Sequence, residues 1–188
     1  MELLISLSLM VIVMLAVITM FSYPNKVYDY VVVQSRMQDE VDLVLMRIAN
    51  DIRPATKPDS TTNAIEIYNS SGNISSSGNT MYIYSYNNQD NMYYKVLYKY
   101  EYGNLYRNST SRYTASDIKA ARLFPQTDIL HNVEIPSGSA LFQDITDESG
   151  DSNGMRTIRV NLSVRDEEGN LLNMSKAYSS RSEGPVGP

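Results

Sequence analysis

Cysteine and tryptophan are absent from this chain of 188 residues, and histidine occurs once, at His131. Without cysteine no disulfide and no thiolate metal site is available, and a single histidine serves zinc poorly. A Ser-His-Asp arrangement would rest on His131 alone, which falls in an expected strand, so a structural or surface role is the better expectation. No glycine-rich loop follows a strand in the manner of a phosphate cradle. Positive charge is in deficit too. Lys and Arg number 16 against 21 Asp and Glu, a formal net charge of −5, whereas a general nucleic-acid binder would carry a basic face. These absences point away from an enzyme and call for no cofactor. What the chain has instead is 15 tyrosines and many serines, threonines and asparagines, a composition that looks globular and exported.

Charge is missing altogether between Glu2 and Lys26. From Leu3 to Tyr23 the sequence reads LLISLSLMVIVMLAVITMFSY, with no charge, glycine or proline. That is about the 20 apolar residues a helix needs to cross bilayer hydrocarbon. Ser6, Ser8 and Thr19 do not weaken the reading, because hydroxyls bond back to the helix backbone. A cleaved signal peptide would want basic residues before the run and a small-residue site after it. Here Met-Glu precedes and Phe-Ser-Tyr-Pro follows. A buried core helix has no room in a domain of this size. A single-span anchor carrying a binding or sensor domain is the competing reading. Glu2 separates the two, since a carboxylate heading an apolar helix is costly in lipid unless paired. The helix N-terminus favours an anion there, but a simple anchor gains nothing specific from it. A helix that must find a positive partner in a neighbouring subunit does.

Pro24 should interrupt the hydrogen-bond ladder and kink the helix. Beyond it Val33, Met37, Val41, Val44, Leu45, Ile48 and Ile52 recur on one helical face. Arg36, Glu40, Arg47 and Asp51 lie opposite, with Arg36–Glu40 and Arg47–Asp51 at i,i+4. Pro54 should end the helix at Arg53. Residues 1–53 therefore read as one helix of about 80 Å, with 1–25 for membrane or filament core and 26–53 amphipathic. Residues 54–180 read as a β-rich head and 181–188 as a frayed tail.

The start ELLISLSLMVIVMLAVITMF, one glutamate heading an apolar helix that turns amphipathic, resembles the mature end of a type IV pilin or pseudopilin. The segments VQSRMQDEVDLVLMRIANDIRPA, VLYKYEYGNLYRNS, TDILHNVEI and RTIRVNLSVRDEEGNLL resemble the branch of J-type secretion pseudopilins and W-type minor pilins. The likeness implies an α+β fold, a lollipop-like pilin architecture in which a long N-terminal helix packs against an antiparallel β-sheet head. It implies assembly residues Met1, Glu2 and Pro24, with Glu2 pairing with a neighbour's terminal amine, although Glu2 stands three places earlier than the family pattern. Implied partners are copies of the chain or other pilins in a helical filament, a prepilin peptidase, an assembly platform, and the inner membrane before assembly. The implied end state is an extracellular filament for adhesion, motility or DNA uptake. A minor pseudopilin of a secretion or competence pseudopilus is the alternative.

Strands are expected at Ala64–Tyr68, Thr80–Tyr86, Tyr93–Tyr102, Leu105–Arg107, Ile129–Ile135, Ala140–Thr146, Thr157–Val164 and Leu171–Tyr178. Gly103-Asn104 fits a hairpin turn, and 115–124 reads as a short helix or irregular crossing. In the third strand Tyr94, Val96, Tyr98, Tyr100 and Tyr102 share one face, with Lys95, Lys99 and Glu101 on the other. The expected product is a single antiparallel sheet against the amphipathic helix, its tyrosine-rich outer face partly solvated.

Three patterns remain to be weighed for chemistry. Asp147, Asp151 and Asn153, with Asp144 and Glu148 nearby, gather hard oxygen ligands at a spacing similar to calcium loops, but lack the bidentate acid such loops need. Calcium is the one cofactor the sequence raises, and a solvated hairpin loop is the plainer reading. Alternating Tyr and Lys at 93–102 could stack and neutralise single-stranded DNA, yet sheet packing with a snorkelling lysine face explains the same residues with less. Nucleic acid is therefore an unlikely partner. Asn-x-Ser/Thr sequons occur at Asn69, Asn73, Asn108, Asn161 and Asn173 as glycosylation candidates.

Overall fold

Period-two alternation sets most of the strands. In Thr157–Arg165, Ile158, Val160, Leu162 and Val164 are all buried, as a half-buried strand requires. The structure is a computed structural model and describes residues 2–110, 113–121, 123, 127–136, 138–149, 155–166 and 168–180. The side chains of 2–5, 21–26, 29, 148 and 149 lie outside the described residues, as do Met1 and the expected tail 181–188.

The chain divides into two compact units, Met1–Gln38 and Asp39–Pro188. Helix α1 is assigned over Glu2–Ile52, so the division falls within it. The first unit is helical, and Thr19 Oγ1 donates back to the Leu15 and Ala16 carbonyls at 3.0 and 2.9 Å. In the second unit the last turns of α1 bury Val41, Val44, Leu45, Ile48, Ala49 and Ile52. The helix stops just before Pro54, where the proline ring disfavours helical backbone for the residue ahead of it.

The strands of the second unit are β1 (Ile65–Tyr68), β2 (Ser77–Gly78), β3 (Thr80–Asn87), β4 (Met92–Glu101), β5 (Asn104–Ser109), β6 (Thr127–Leu130), β7 (Val133–Glu134), β8 (Phe142–Asp144), β9 (Thr157–Arg165) and β10 (Leu171–Ser179). A short helix, α2, spans Thr146–Ser149. They form two antiparallel sheets, one ordered β1-β3-β4-β5-β6 and the other β10-β9-β8-β2. β10 takes one edge of β9 along its full length, while β8 and β7 share the other edge end to end. Phe142 of the second sheet meets Tyr98 of the first, ring centroids 6.4 Å apart, and both are fully buried.

The expected α+β architecture, one long N-terminal helix packed against one antiparallel sheet, is corrected by these findings. The described side chains of α1 fall in short stretches, 6–20, 27–28 and 30–52, and only the part of α1 from Asp39 onward belongs to the compact unit that holds the sheets. Strand residues outnumber helical ones, and they build two sheets rather than one. Helical periodicity runs on through residues 26–53, but packing decides what joins a folded unit, and within the second unit the buried stripe begins at Val41.

The second sheet arises where the sequence reads as continuous. The expected strand Ile129–Ile135 splits at Asn132, whose φ of 53° is left-handed. β6 ends in the first sheet and β7 begins in the second. The β4–β5 turn is also shifted by one residue: Glu101 pairs with Asn104, so Tyr102 and Gly103 are its central residues, both at positive φ. Such a two-residue turn follows the twist of its strands, and it leaves the Tyr102 ring 91 % exposed.

The loop before β1 is organised by Asp59. Its carboxylate accepts hydrogen bonds from the Thr61 and Thr62 amides at 2.7 and 2.6 Å, and from both hydroxyls at 2.8 and 2.9 Å. The Thr61 hydroxyl bond is the main cause that brings this carboxyl down to a pKa of about 2, and with the other Thr61 and Thr62 bonds it outweighs the desolvation that opposes it. A depressed folded-state value means the contribution is fully present above the ordinary carboxylate pKa and is lost as pH falls toward 2. Asp59→Ala should therefore lower the Tm at neutral pH. It should also flatten the fall in Tm between about pH 4 and pH 2, followed by circular dichroism. An unchanged acid limb would contradict this role.

Candidate binding cleft and exposed apolar helix

The outer face of the first sheet carries a pattern that no single strand displays. Register places Tyr84 opposite Lys95, Tyr82 opposite Leu97 and Glu66, and Thr80 opposite Lys99 and Tyr68. Directly paired residues point to the same face, so the β4 lysines sit among tyrosines supplied by the neighbouring strands. On the opposite face Tyr98 is fully buried and its hydroxyl reaches Asp51 of α1. Along that face Val96 and Tyr98 are buried, Tyr94 and Tyr100 are half-buried, and Tyr102 lies in the hairpin turn.

One end of the outer face is covered by the turn segment 113–121, with Tyr84, Tyr93 and Ile118 forming a buried cluster beside Tyr82, Tyr86 and Tyr113. The other end opens as a cleft of about 900 Å³, walled by Tyr68, Tyr82, Tyr84, Lys95, Lys99 and Lys119, with Asn69, Asn79 and Glu101 at its edges. Its floor is hydrogen-bonded. Buried Glu66 accepts from the Tyr68 hydroxyl at 3.0 Å and the Tyr84 hydroxyl at 3.2 Å through one carboxylate oxygen. Burial, then the hydrogen bond to Glu66, pushes the Tyr68 phenol up to about 12. Burial and the Glu66 charge raise the Tyr84 phenol as well.

Lys95 is 6 % exposed. Its ammonium donates to the Lys119 carbonyl at 2.9 Å and lies over the Tyr82 ring, 4.7 Å from the centroid. Burial holds its pKa below the ordinary lysine value, Lys119 adds to that, and the Glu66 charge opposes it. Lys99 bridges to Glu101 at 2.7 Å. Lys119 Nζ stands 3.5 Å from Thr62 Oγ1. The tyrosines Tyr68 and Tyr82 meet edge to face, 5.2 Å apart and 80° between planes.

In the first unit the helical stretch 6–20 is exposed throughout. Seven consecutive residues from Leu9 to Leu15 are each between 53 and 65 % exposed. Successive side chains step about 100° around a helix, so this surface is apolar on every side. Among the described residues no helix is long and apolar enough to cross a membrane.

The remaining residues singled out from sequence are dispersed. Met1, and the side chains of Glu2 and Pro24, lie outside the described residues, as do Asp151, Asn153 and the Glu148 side chain. Asp147 is exposed on α2. Asp144 is engaged by Arg156 at 2.6 Å and by the Thr146 hydroxyl at 2.5 Å. Among the described residues no group of three or more acids and histidines is placed to hold a metal ion. His131 is 72 % exposed in its side chain and stands 3.2 Å from Asp128. Of the sequons, Asn73 and Asn173 are exposed, and Asn69 accepts from the Ser71 and Asn73 amides. Asn161 is held between Ala140 and Ser175. Asn108 is buried.

Compared with known proteins, the chain matches no protein family, no curated protein and no solved structure.

Proposed function

We propose that the chain is a structural subunit of an extracellular filament of the type IV pilus kind and that it is not an enzyme. The observation that carries the reading is the stretch 6–20, helical, uncharged and exposed on every side. In water such a surface is unfavourable, by roughly 1.5–3 kcal/mol for each large apolar side chain left unburied. Two environments remove it from water: bilayer hydrocarbon before assembly, and the apolar helices of other copies afterwards. Head-to-tail contacts that do not close produce a helical polymer. The uncharged run from Leu3 to Tyr23 and its likeness to the pilin start support the same sequence of states, with a prepilin peptidase and an assembly platform as partners. Glu2 then pairs with a neighbouring subunit's terminal amine, which compensates a carboxylate drawn into an apolar bundle.

Glu2→Ala tests this in the host cell. The variant should stay in the membrane fraction while sheared filament yield, counted by electron microscopy, falls at least about tenfold. Normal yield would sink the proposal. The cleft on the first sheet favours a second reading, a membrane-anchored binding domain that never polymerises. That reading expects detergent-soluble monomers and indifference to Glu2. A subunit-specific antibody separates a main fibre component, labelled along its length, from a minor pseudopilin labelled at the tip.

A further inference from the structure

We propose that the cleft on the outer face of the first sheet binds an acidic oligosaccharide of the uronate type. The proposal stands on the globular unit and does not depend on the filament reading. The cleft volume of about 900 Å³ lies in the range of ligand sites, roughly 300–1,000 Å³, and admits a short oligosaccharide. Its chemistry is that of a sugar site, with aromatic walls for the apolar faces of pyranose rings and amide, phenol and ammonium groups for hydroxyls.

Charge selects an acidic sugar. Three lysines and two glutamates, Glu66 and Glu101, leave one net positive charge in the cleft, within a chain whose net charge is −5. Lys99 and Glu101 neutralise one another at 2.7 Å. Lys95 and Lys119 remain, and an ammonium has three donor hydrogens. Lys95 uses one on the Lys119 carbonyl, and Lys119 has only the 3.5 Å approach to Thr62 among the described contacts. Both keep donors for a carboxylate. Beneath them Glu66 accepts from both Tyr68 and Tyr84 through one oxygen, which holds the two phenols of the wall in place before any ligand arrives and lowers the ordering cost of binding.

The same geometry disfavours a single-stranded oligonucleotide. Successive bases need ring faces that are open and stacked in line. Tyr68 and Tyr82 stand at 80° to each other, so their ring faces are not in line. Two perpendicular rings form a corner that suits a puckered sugar better than a run of planar bases.

The test titrates the full-length chain in detergent with tetragalacturonic acid by isothermal calorimetry, with maltotetraose and a decathymidylate as comparison ligands. Tetragalacturonic acid should bind saturably and more tightly than either, and added salt should weaken it. Lys119→Glu, at an exposed position, should weaken binding at least about tenfold without changing the Tm. Tyr82→Ala should remove binding. Should Tyr82→Ala fail to fold, Lys119→Glu alone decides. No binding up to millimolar tetragalacturonic acid, equal binding of maltotetraose, tighter binding of the oligonucleotide, or an unaffected Lys119→Glu would each overturn the proposal.

Discussion

Gly78→Ala is expected to unfold the globular unit or leave it barely stable. A Cβ at this position would lie 2.0 Å from the Tyr68 carbonyl oxygen, 2.5 Å from its carbon and 3.0 Å from the Asn69 nitrogen. All three are backbone atoms, which cannot swing aside as a side chain would. Both strands are held in place. Tyr68 closes β1 against Thr80 of β3, and Gly78 pairs with Phe142 of β8 in the other sheet. β2 is the point where the chain leaves the first sheet, touches the second and returns two residues later. Separating β2 from β1 by the missing ångström would therefore pull the two sheets apart beside buried Phe142. Ordinary overpacking costs about 1–3 kcal/mol because rotamers yield, and here the loss should exceed that range. Gly72→Ala is the control. Nothing lies within 4 Å of its added Cβ, but its φ is +77°, so it should cost about 1–2 kcal/mol from backbone conformation alone. Urea midpoints for the two variants measure the difference, and a Gly78→Ala midpoint equal to the parent's would refute the close approach.

Sequence patterning reached the strands better than their assembly, for reasons visible in particular residues. β1, β3, β9 and β10 stand within a residue or so of where the sequence pattern puts them. β4 misleads because both of its faces are covered. Lys95 and Leu97 are buried on one side and Val96 and Tyr98 on the other, so in-strand alternation cannot say which face meets the helix. Between β6 and β7 the chain changes sheets at one left-handed residue, Asn132. Asparagine tolerates that conformation, and this is the only local hint. The cleft was legible in composition, as tyrosine and lysine, but its grouping depends on cross-strand register. Tyr82 and Tyr84 come from β3 and Lys95 and Lys99 from β4. Asp51 was misread outright. Helical spacing offers it Arg47 as an i,i+4 partner, whereas its carboxylate turns to the sheet and meets Arg107.

That ion pair sets the second large effect, for Asp51→Ala. Arg107 Nε donates to Asp51 Oδ2 at 2.9 Å and Nη2 to Oδ1 at 3.2 Å, a two-point grip, while the Tyr98 hydroxyl donates to the same Oδ2 at 2.5 Å. The three residues come from the last turn of α1, from β4 and from β5, so the group ties the helix end to two neighbouring strands. Both charged side chains are about four-fifths buried, at 20 % and 19 % exposure. Burial works against the Arg107 charge, but the hydrogen bond and charge of Asp51 outweigh it and raise the guanidinium's pKa. Burial, reinforced by the Asp51 charge, raises the Tyr98 phenol. Removing Asp51 leaves a guanidinium largely out of water with a phenol 3.3 Å from its Nε. A fully buried orphan charge costs about 3–5 kcal/mol, and partial exposure should reduce this to about 2–3 kcal/mol. Arg107→Ala should cost a similar amount, since it strands the carboxylate instead. The double variant should cost clearly less than the two added together, because neither charge is then left alone. A coupling of about 1–3 kcal/mol is expected from urea denaturation of the four proteins. Strict additivity would mean that the two side chains do not hold one another in solution, and that the end of α1 is secured by its buried apolar side chains, Leu45, Ile48 and Ile52 among them.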